Sequence, residues 1–266
     1  MTNWDAIAKA DFELPAGADR AALAALAAEL FQALADPDPR IRDGAAYTVL
    51  ATWIQRRVLA PELAWLGGAA ADRFTDPAIQ ARTFAPLILA WVVQAGAFEE
   101  AWADAFERWY PAETDLRGYD EDLGWLHAVA HGADLLGVLG CDQRVQPGRM
   151  LELAARRMLA QTGFVWRDQE DDRLGHAMAL VLARPDITAE QSTGWLDLVD
   201  EKFAAGEPGP VPACVSNTIR TLRMLYLLAD RGVRAEPDAA ARTLTHRDAV
   251  MRRLAGSLAV VTWFAG

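Results

Sequence analysis

Asp38-Pro39-Arg40-Ile41, followed by Ala46, Leu50, Trp53 and Ile54, returns 38 residues later as Asp76-Pro77-Ala78-Ile79, followed by Phe84, Ile88, Trp91 and Val92. In both copies a turn-forming Asp-Pro precedes apolar positions at helical spacing. A helix pair of this size cannot bury its apolar face alone and must stack on the next pair. The repeat therefore predicts an all-α protein, a single-domain α/α superhelix of paired antiparallel helices. Residues 1–18 are read as an N-terminal extension and 19–266 as the helical-repeat domain. The later units are degenerate, and helices near 123–140, 170–183 and 213–231 are expected to continue the inner row.

The offset lies close to that of HEAT repeats, whose units run to about 40–47 residues, and the Asp-Pro start followed by a small-residue-rich helix resembles the HEAT pattern. Ala and Leu dominate the rest of the chain, which favours helix. Asp19 is placed to cap a helix from Arg20 to about Ala35, and Pro61 suits the first turn of a helix ending near Ala71. Asp76-Pro77 reads as a cap followed by a first-turn proline. Thr188 with Gln191 reads as a capping box, and Thr245 with Asp248 as a weaker one. Trp53, Trp65, Trp91, Trp102, Trp109 and Trp195 are assigned to packing rather than to a site.

The chain carries 26 basic and 37 acidic residues, a net charge of −11. A nucleic-acid partner needs a basic footprint, and no Lys/Arg run supplies one. The pairs Arg56-Arg57, Arg156-Arg157 and Arg252-Arg253 read as solvated helix faces. Cys141 and Cys214 lack metal or redox spacing. No apolar run approaches a bilayer span, and the segment Leu258 to Phe264 is expected to end a last helix docked on the core. With no signal-peptide pattern in the first residues, a cytoplasmic protein with neither nucleic-acid nor membrane partners is expected.

One stretch differs in kind. Asp115-Leu116-Arg117-Gly118-Tyr119-Asp120 is a polar loop, and Gly124-Trp125-Leu126-His127 leads into Ala130-His131-Gly132-Ala133-Asp134. Wound as a helix, the later part is apolar nearly all round, as in a buried helix. His127, His131 and Asp134 break that surface at i, i+4 and i+7, on one arc of about 60°. Buried polar groups need partners, at a cost of about 1–3 kcal/mol for each left unsatisfied. Three readings stay open: a metal site, a ligand pocket, or a structural network tied to the Arg117–Tyr119 loop. The HxxxH spacing lacks the Glu of a zinc-protease motif, so no metal is assigned, although His127, His131 and Asp134 would be its ligands.

Other polar residues lie early in expected inner helices: Arg42, Asp43 and Arg82, then Asp171, Asp172, Arg173 and His176, then Asn217 and Arg220 before Leu225-Tyr226. The run from Asp115 to Asp134, with Arg42-Asp43, Ala46-Tyr47 and Trp53-Ile54 upstream and Asn217, Arg220 and Leu225-Tyr226 downstream, resembles the bacterial family called domain of unknown function 2785, over roughly residues 20 to 230. Leu126 is bulkier than the small residue expected at its place. The resemblance implies an all-α fold and no assigned activity.

No GxSxG, P-loop or GxGxxG motif in context is present. The expectation is a binding scaffold whose concave helical face holds a small molecule, a peptide or a partner protein. Its ligand-binding residues would be Arg117, Tyr119, Trp125, His127, His131, Asp134, Arg82, Arg173 and Arg220, with no cofactor. The alternative is an enzyme, metal-assisted or using a His–Asp pair for proton transfer, acting on a small molecule.

Overall fold

The computed structural model describes every residue except Met1, Ala16, Pro208, Trp263, Ala265 and Gly266, together with the side chain of Asp5. The regular structure of the described residues is helical apart from one two-stranded antiparallel hairpin. The protein is all-α. Its contacts divide the chain into two units, Met1–Trp109 with Arg117–Leu135, and Tyr110–Leu116 with Leu136–Gly266.

The first unit opens with α1 (Trp4–Lys9) and α2 (Arg20–Ala33), the latter capped by Asp19, which accepts from the Ala22 amide at 2.8 Å. A π-helix over Arg40–Tyr47 runs directly into α3 (Thr48–Gln55). Then come α4 (Leu63–Asp72), α5 (Ile79–Gln94) and α6 (Glu100–Trp109). Ala46, Leu50, Trp53 and Ile54 of the first copy and Phe84, Ile88 and Val92 of the second are buried, as their spacing requires. Trp53 is enclosed and donates its indole N–H to the Phe12 carbonyl at 2.8 Å, which ties the N-terminal residues to α3.

Two tryptophans assigned to packing are less enclosed. Trp91 is half-buried, with its indole N–H on the Tyr47 hydroxyl at 3.3 Å. Trp65 stays 42% exposed and only leans edge-on against Phe31.

The repeated Asp-Pro turns share a local geometry. Asp38 Oδ1 accepts from the Arg40 amide at 2.9 Å, and Asp76 Oδ1 from the Ala78 amide at 2.8 Å. This side-chain turn is what Asp offers in place of a backbone turn. It also corrects the expected capping: the N-cap of α5 is Ala78, so Pro77 precedes the helix instead of opening it. The same turn also forms without a proline, where Asp142 Oδ1 accepts from the Arg144 amide at 2.8 Å.

Helix α7 (Ala128–Cys141) carries the chain from the first unit into the second. There α8 (Pro147–Leu159), α9 (Glu170–Leu182), α10 (Ala189–Thr193), α11 (Leu196–Ala204), α12 (Ala213–Arg231) and α13 (Arg247–Val261) follow. α9 and α12 lie where hydrophobic spacing puts them, and α10 begins with the Thr188–Gln191 capping box, both of its bonds formed. Thr245 does not cap α13; its hydroxyl donates to the Arg184 carbonyl at 2.6 Å and the N-cap is His246. The closing apolar segment is not docked along its length, because Val260 and Phe264 are 60% and 71% exposed, and Trp263 lies outside the described residues.

Arg157 is not a solvated charge. It is buried and donates to the carbonyls of Tyr110 at 2.7 Å and Glu113 at 2.9 Å. Arg184 likewise gathers the carbonyls of Gly140, Asp142 and Val145, each at 2.9 Å. Buried guanidiniums satisfying irregular loop backbone are a recurring device of this chain. Among the described residues, no helix is long and apolar enough to cross a membrane.

Candidate functional site

The expected helix over 123–140 starts late. Tyr119–Asp120 (β1) pairs antiparallel with Gly124–Trp125 (β2), Tyr119 opposite Trp125 and Asp120 opposite Gly124. Asp120 builds the connecting turn, its Oδ1 accepting from the amides of Leu123 at 2.9 Å and Asp122 at 3.1 Å, with Arg117 paired to its Oδ2 at 2.5 Å. The Leu123 amide, more than the Arg117 charge, holds this carboxyl below the usual carboxylate range.

Beneath the hairpin lies Arg42, fully buried. It donates to the Leu123 carbonyl at 2.6 Å, the Trp125 carbonyl at 3.3 Å, the Asp36 carbonyl at 3.2 Å and the Asp43 carboxylate at 2.7 Å. Its guanidinium also sits 4.9 Å from the centre of the Phe84 ring. Gly124 permits this close seating. It has a φ of +71°, and a Cβ there would lie 3.0 Å from Pro39 of the first Asp-Pro turn.

His127 corrects the histidine strip. Its backbone is left-handed, with φ +48°, so it precedes α7 instead of lying on it. Its amide is held by the carbonyls of Arg117 at 3.1 Å and Gly118 at 3.3 Å, while its own carbonyl receives the His131 amide at 2.9 Å. A left-handed non-glycine residue costs about 1–2 kcal/mol and persists only where its surroundings impose it.

His131, on the first turns of α7, is buried, and its Nδ1 lies 2.9 Å from the Thr83 carbonyl. A carbonyl only accepts, so Nδ1 carries the proton in this contact. The ring meets Phe84 edge-on at 5.3 Å and His127 edge-on at 5.8 Å.

Above this layer the side chains face outward. Tyr119 and Trp125 are 53% and 44% exposed, their rings edge-to-face at 5.1 Å. The Trp125 ring overlies His127 at 4.3 Å with a 34° tilt. The structure thus gathers Arg117, Tyr119, Trp125, His127 and His131, and adds Arg42, Thr83 and Phe84 as their support.

The other first-unit candidates are Asp134 and Arg82. Asp134 is half-buried on α7, and among the described residues the donor atoms of His127, His131 and Asp134 do not converge as a three-ligand set. Arg82 bends back on its own turn, donating to the carbonyls of Asp76 at 2.7 Å and Pro77 at 3.0 Å. Leu126 is fully buried, with its amide on the Gly118 carbonyl at 2.8 Å, so its bulk packs under the hairpin.

The profile of the family described as a protein of unknown function, DUF2785, matches residues 72–227, more than half of the chain. The chain belongs to the DUF2785 family. No curated protein and no solved structure matches it.

The DUF2785 match is narrower at the N-terminus than the sequence resemblance implied. It starts at Asp72, beyond Arg42 and Asp43, and takes in α5, the hairpin, α7 and most of α12. Its later portion lies in the second unit, where the remaining site candidates fall. Asn217, fully buried, holds the loop before α9: its Oδ1 accepts from the Trp166 amide at 2.9 Å and its Nδ2 donates to the Phe164 carbonyl at 3.1 Å. Arg220 joins it, donating to the Trp166 carbonyl at 2.5 Å and pairing with Asp171 at 2.5 Å. Arg173 is exposed on α9, and His176 is bonded to the Arg234 carbonyl at 2.7 Å. Sequence reasoning missed Arg167, Gln169 and Arg223 near these residues, because isolated polar surface residues carry no spacing signal.

Proposed function

We propose that this DUF2785 protein is a binding scaffold, and that the hairpin shelf of Tyr119, Trp125 and His127, with Arg117 beside it, is where a ligand docks. One observation carries the reading: two large aromatic rings stay exposed on a hairpin whose backbone is immobilised from below by Arg42. Rings held in place lose little entropy when a partner stacks on them, and such contacts contribute about 0.5–1.5 kcal/mol beyond area burial. The strained His127 fits a backbone organised for a purpose other than stability.

The matching ligand is a ring-bearing small molecule or an aromatic side chain of a peptide. In the same reading the helix pairs stack as a HEAT-like α/α array in a bacterial cytoplasmic protein, with His131 and Arg42 as positioning residues.

The test is a ligand-observed NMR screen of ring-bearing metabolites and short peptides against wild type, Trp125→Ala and Tyr119→Ala. Both replaced side chains are exposed, so the variants retain the helical circular dichroism of wild type. Ligands that bind wild type and lose most of their affinity for Trp125→Ala support the shelf. Ligands bound equally by all three proteins, or no ligand at all, count against it.

A further inference from the structure

The second unit holds a pocket of ≈ 420 Å³, lined by Arg167, Gln169, Asp171, Asp172, Arg220, Arg223, Met224 and Leu227. That volume is within the range of about 300–1,000 Å³ typical of small-molecule sites. We infer that this pocket, independently of the hairpin shelf, binds a small organic anion: a carboxylate or phosphate ester carrying an apolar group.

The argument starts from its charges. Three guanidiniums and two carboxylates line it, in a chain whose net charge is −11. Arg220 is already committed, to Asp171 at 2.5 Å and to the Trp166 carbonyl at 2.5 Å. Arg167 and Arg223 make no ion pair among the described residues; the guanidinium of Arg167 lies only over the Phe164 ring, at 5.1 Å. Two cations thus remain against one uncommitted carboxylate, Asp172. Burial, with the neighbouring Asp171, pushes the Asp172 carboxyl up.

The site is also built to hold its shape. Asn217 and Arg220 pin the loop leading to Gln169, whose backbone is left-handed at φ +67°. Asp171 is buried at the start of α9, where its pair with Arg220 fixes the floor. A planar guanidinium with no committed partner suits a carboxylate or phosphate, which it can engage with two parallel bonds. Met224 and the half-exposed Leu227 supply an apolar wall, so a headgroup alone would leave that wall unused.

The experiment titrates the ¹⁵N-labelled full chain with phenyl phosphate, phenylacetate and benzamidine in parallel, following the arginine Nε–H signals. Saturable shifts of Arg220 and Arg223 with either anion are expected, and the tighter of the two identifies the preferred headgroup. Arg223→Gln and Arg167→Gln, both at exposed positions, should each weaken that binding about tenfold with the fold unchanged. Trp125→Ala should bind the anion as wild type does, so failure of the shelf and failure of the pocket are told apart. Shifts with neither anion, stronger binding of the benzamidine cation, or unaltered affinity in both arginine variants overturn the inference.

Discussion

Arg42 and Arg73 are both buried arginines of the first unit, and their surroundings predict opposite outcomes of substitution. Every arm of Arg42 has an acceptor, including two hairpin carbonyls more than 80 residues away. Arg42→Met orphans those carbonyls and should cost about 3–5 kcal/mol in urea unfolding, with faster amide exchange over residues 119–125. Arg73 lies over the Phe31 ring at 3.9 Å, bonds Gln32 at 3.3 Å, and has one buried nitrogen without a partner among the described residues. Burial lowers it to about 10. Arg73→Met should therefore change stability by less than about 1 kcal/mol.

Glu170 supplies a pH-dependent case at the same scale. Its carboxyl is fully buried and accepts from the Asp168 amide at 2.8 Å, and burial pushes it above the ordinary 4.5. Between that value and its folded one, the native state keeps a proton that the unfolded chain has lost. Stability should then fall as pH rises through the window. Glu170→Gln should flatten this slope on the alkaline side of the ordinary glutamate value, measured as unfolding free energy against pH.

Elements were legible in proportion to how local their signals are. α2 and α10 are announced by caps at Asp19 and Thr188, α9 and α12 by apolar periods, and all four lie where those signals place them. The hairpin does not. Each strand has two residues, too few to alternate, and what makes it is Asp120 turning the chain while Gly124 and Arg42 admit it onto the Asp-Pro turn. The histidine spacing looked helical across that boundary because His131 does bond back to His127, although φ there has changed sign.

His127→Gly should relieve that backbone and leave stability unchanged or higher by up to about 1 kcal/mol, while removing the ring beneath Trp125. A marked loss of melting temperature would instead make the imidazole structural. Helix α4 gives the opposite glycine. A Cβ on Gly67 collides with the Trp102 indole of α6, so Gly67→Ala should cost about 1–3 kcal/mol by thermal or urea unfolding.

For the whole molecule, the net charge of −11 rules on partners more firmly than on architecture. Condensed counterions on a duplex are released by basic residues, and here the most enclosed arginines are spent on loop carbonyls. A labelled DNA duplex should not be retarded by the protein even at low salt, and a salt-sensitive shift would reverse that expectation.

The sequence by itself determined the all-α class and most helix positions, because periodicity, capping and composition act within one or two turns of chain. Only the tertiary structure decided that Arg42, Arg157 and Arg184 are internal fasteners, that His131 answers to Thr83, and that Tyr119 and Trp125 remain outside. The partners in those contacts are mostly backbone carbonyls, present at every residue and therefore silent in a sequence, until folding brings one particular carbonyl to one particular donor.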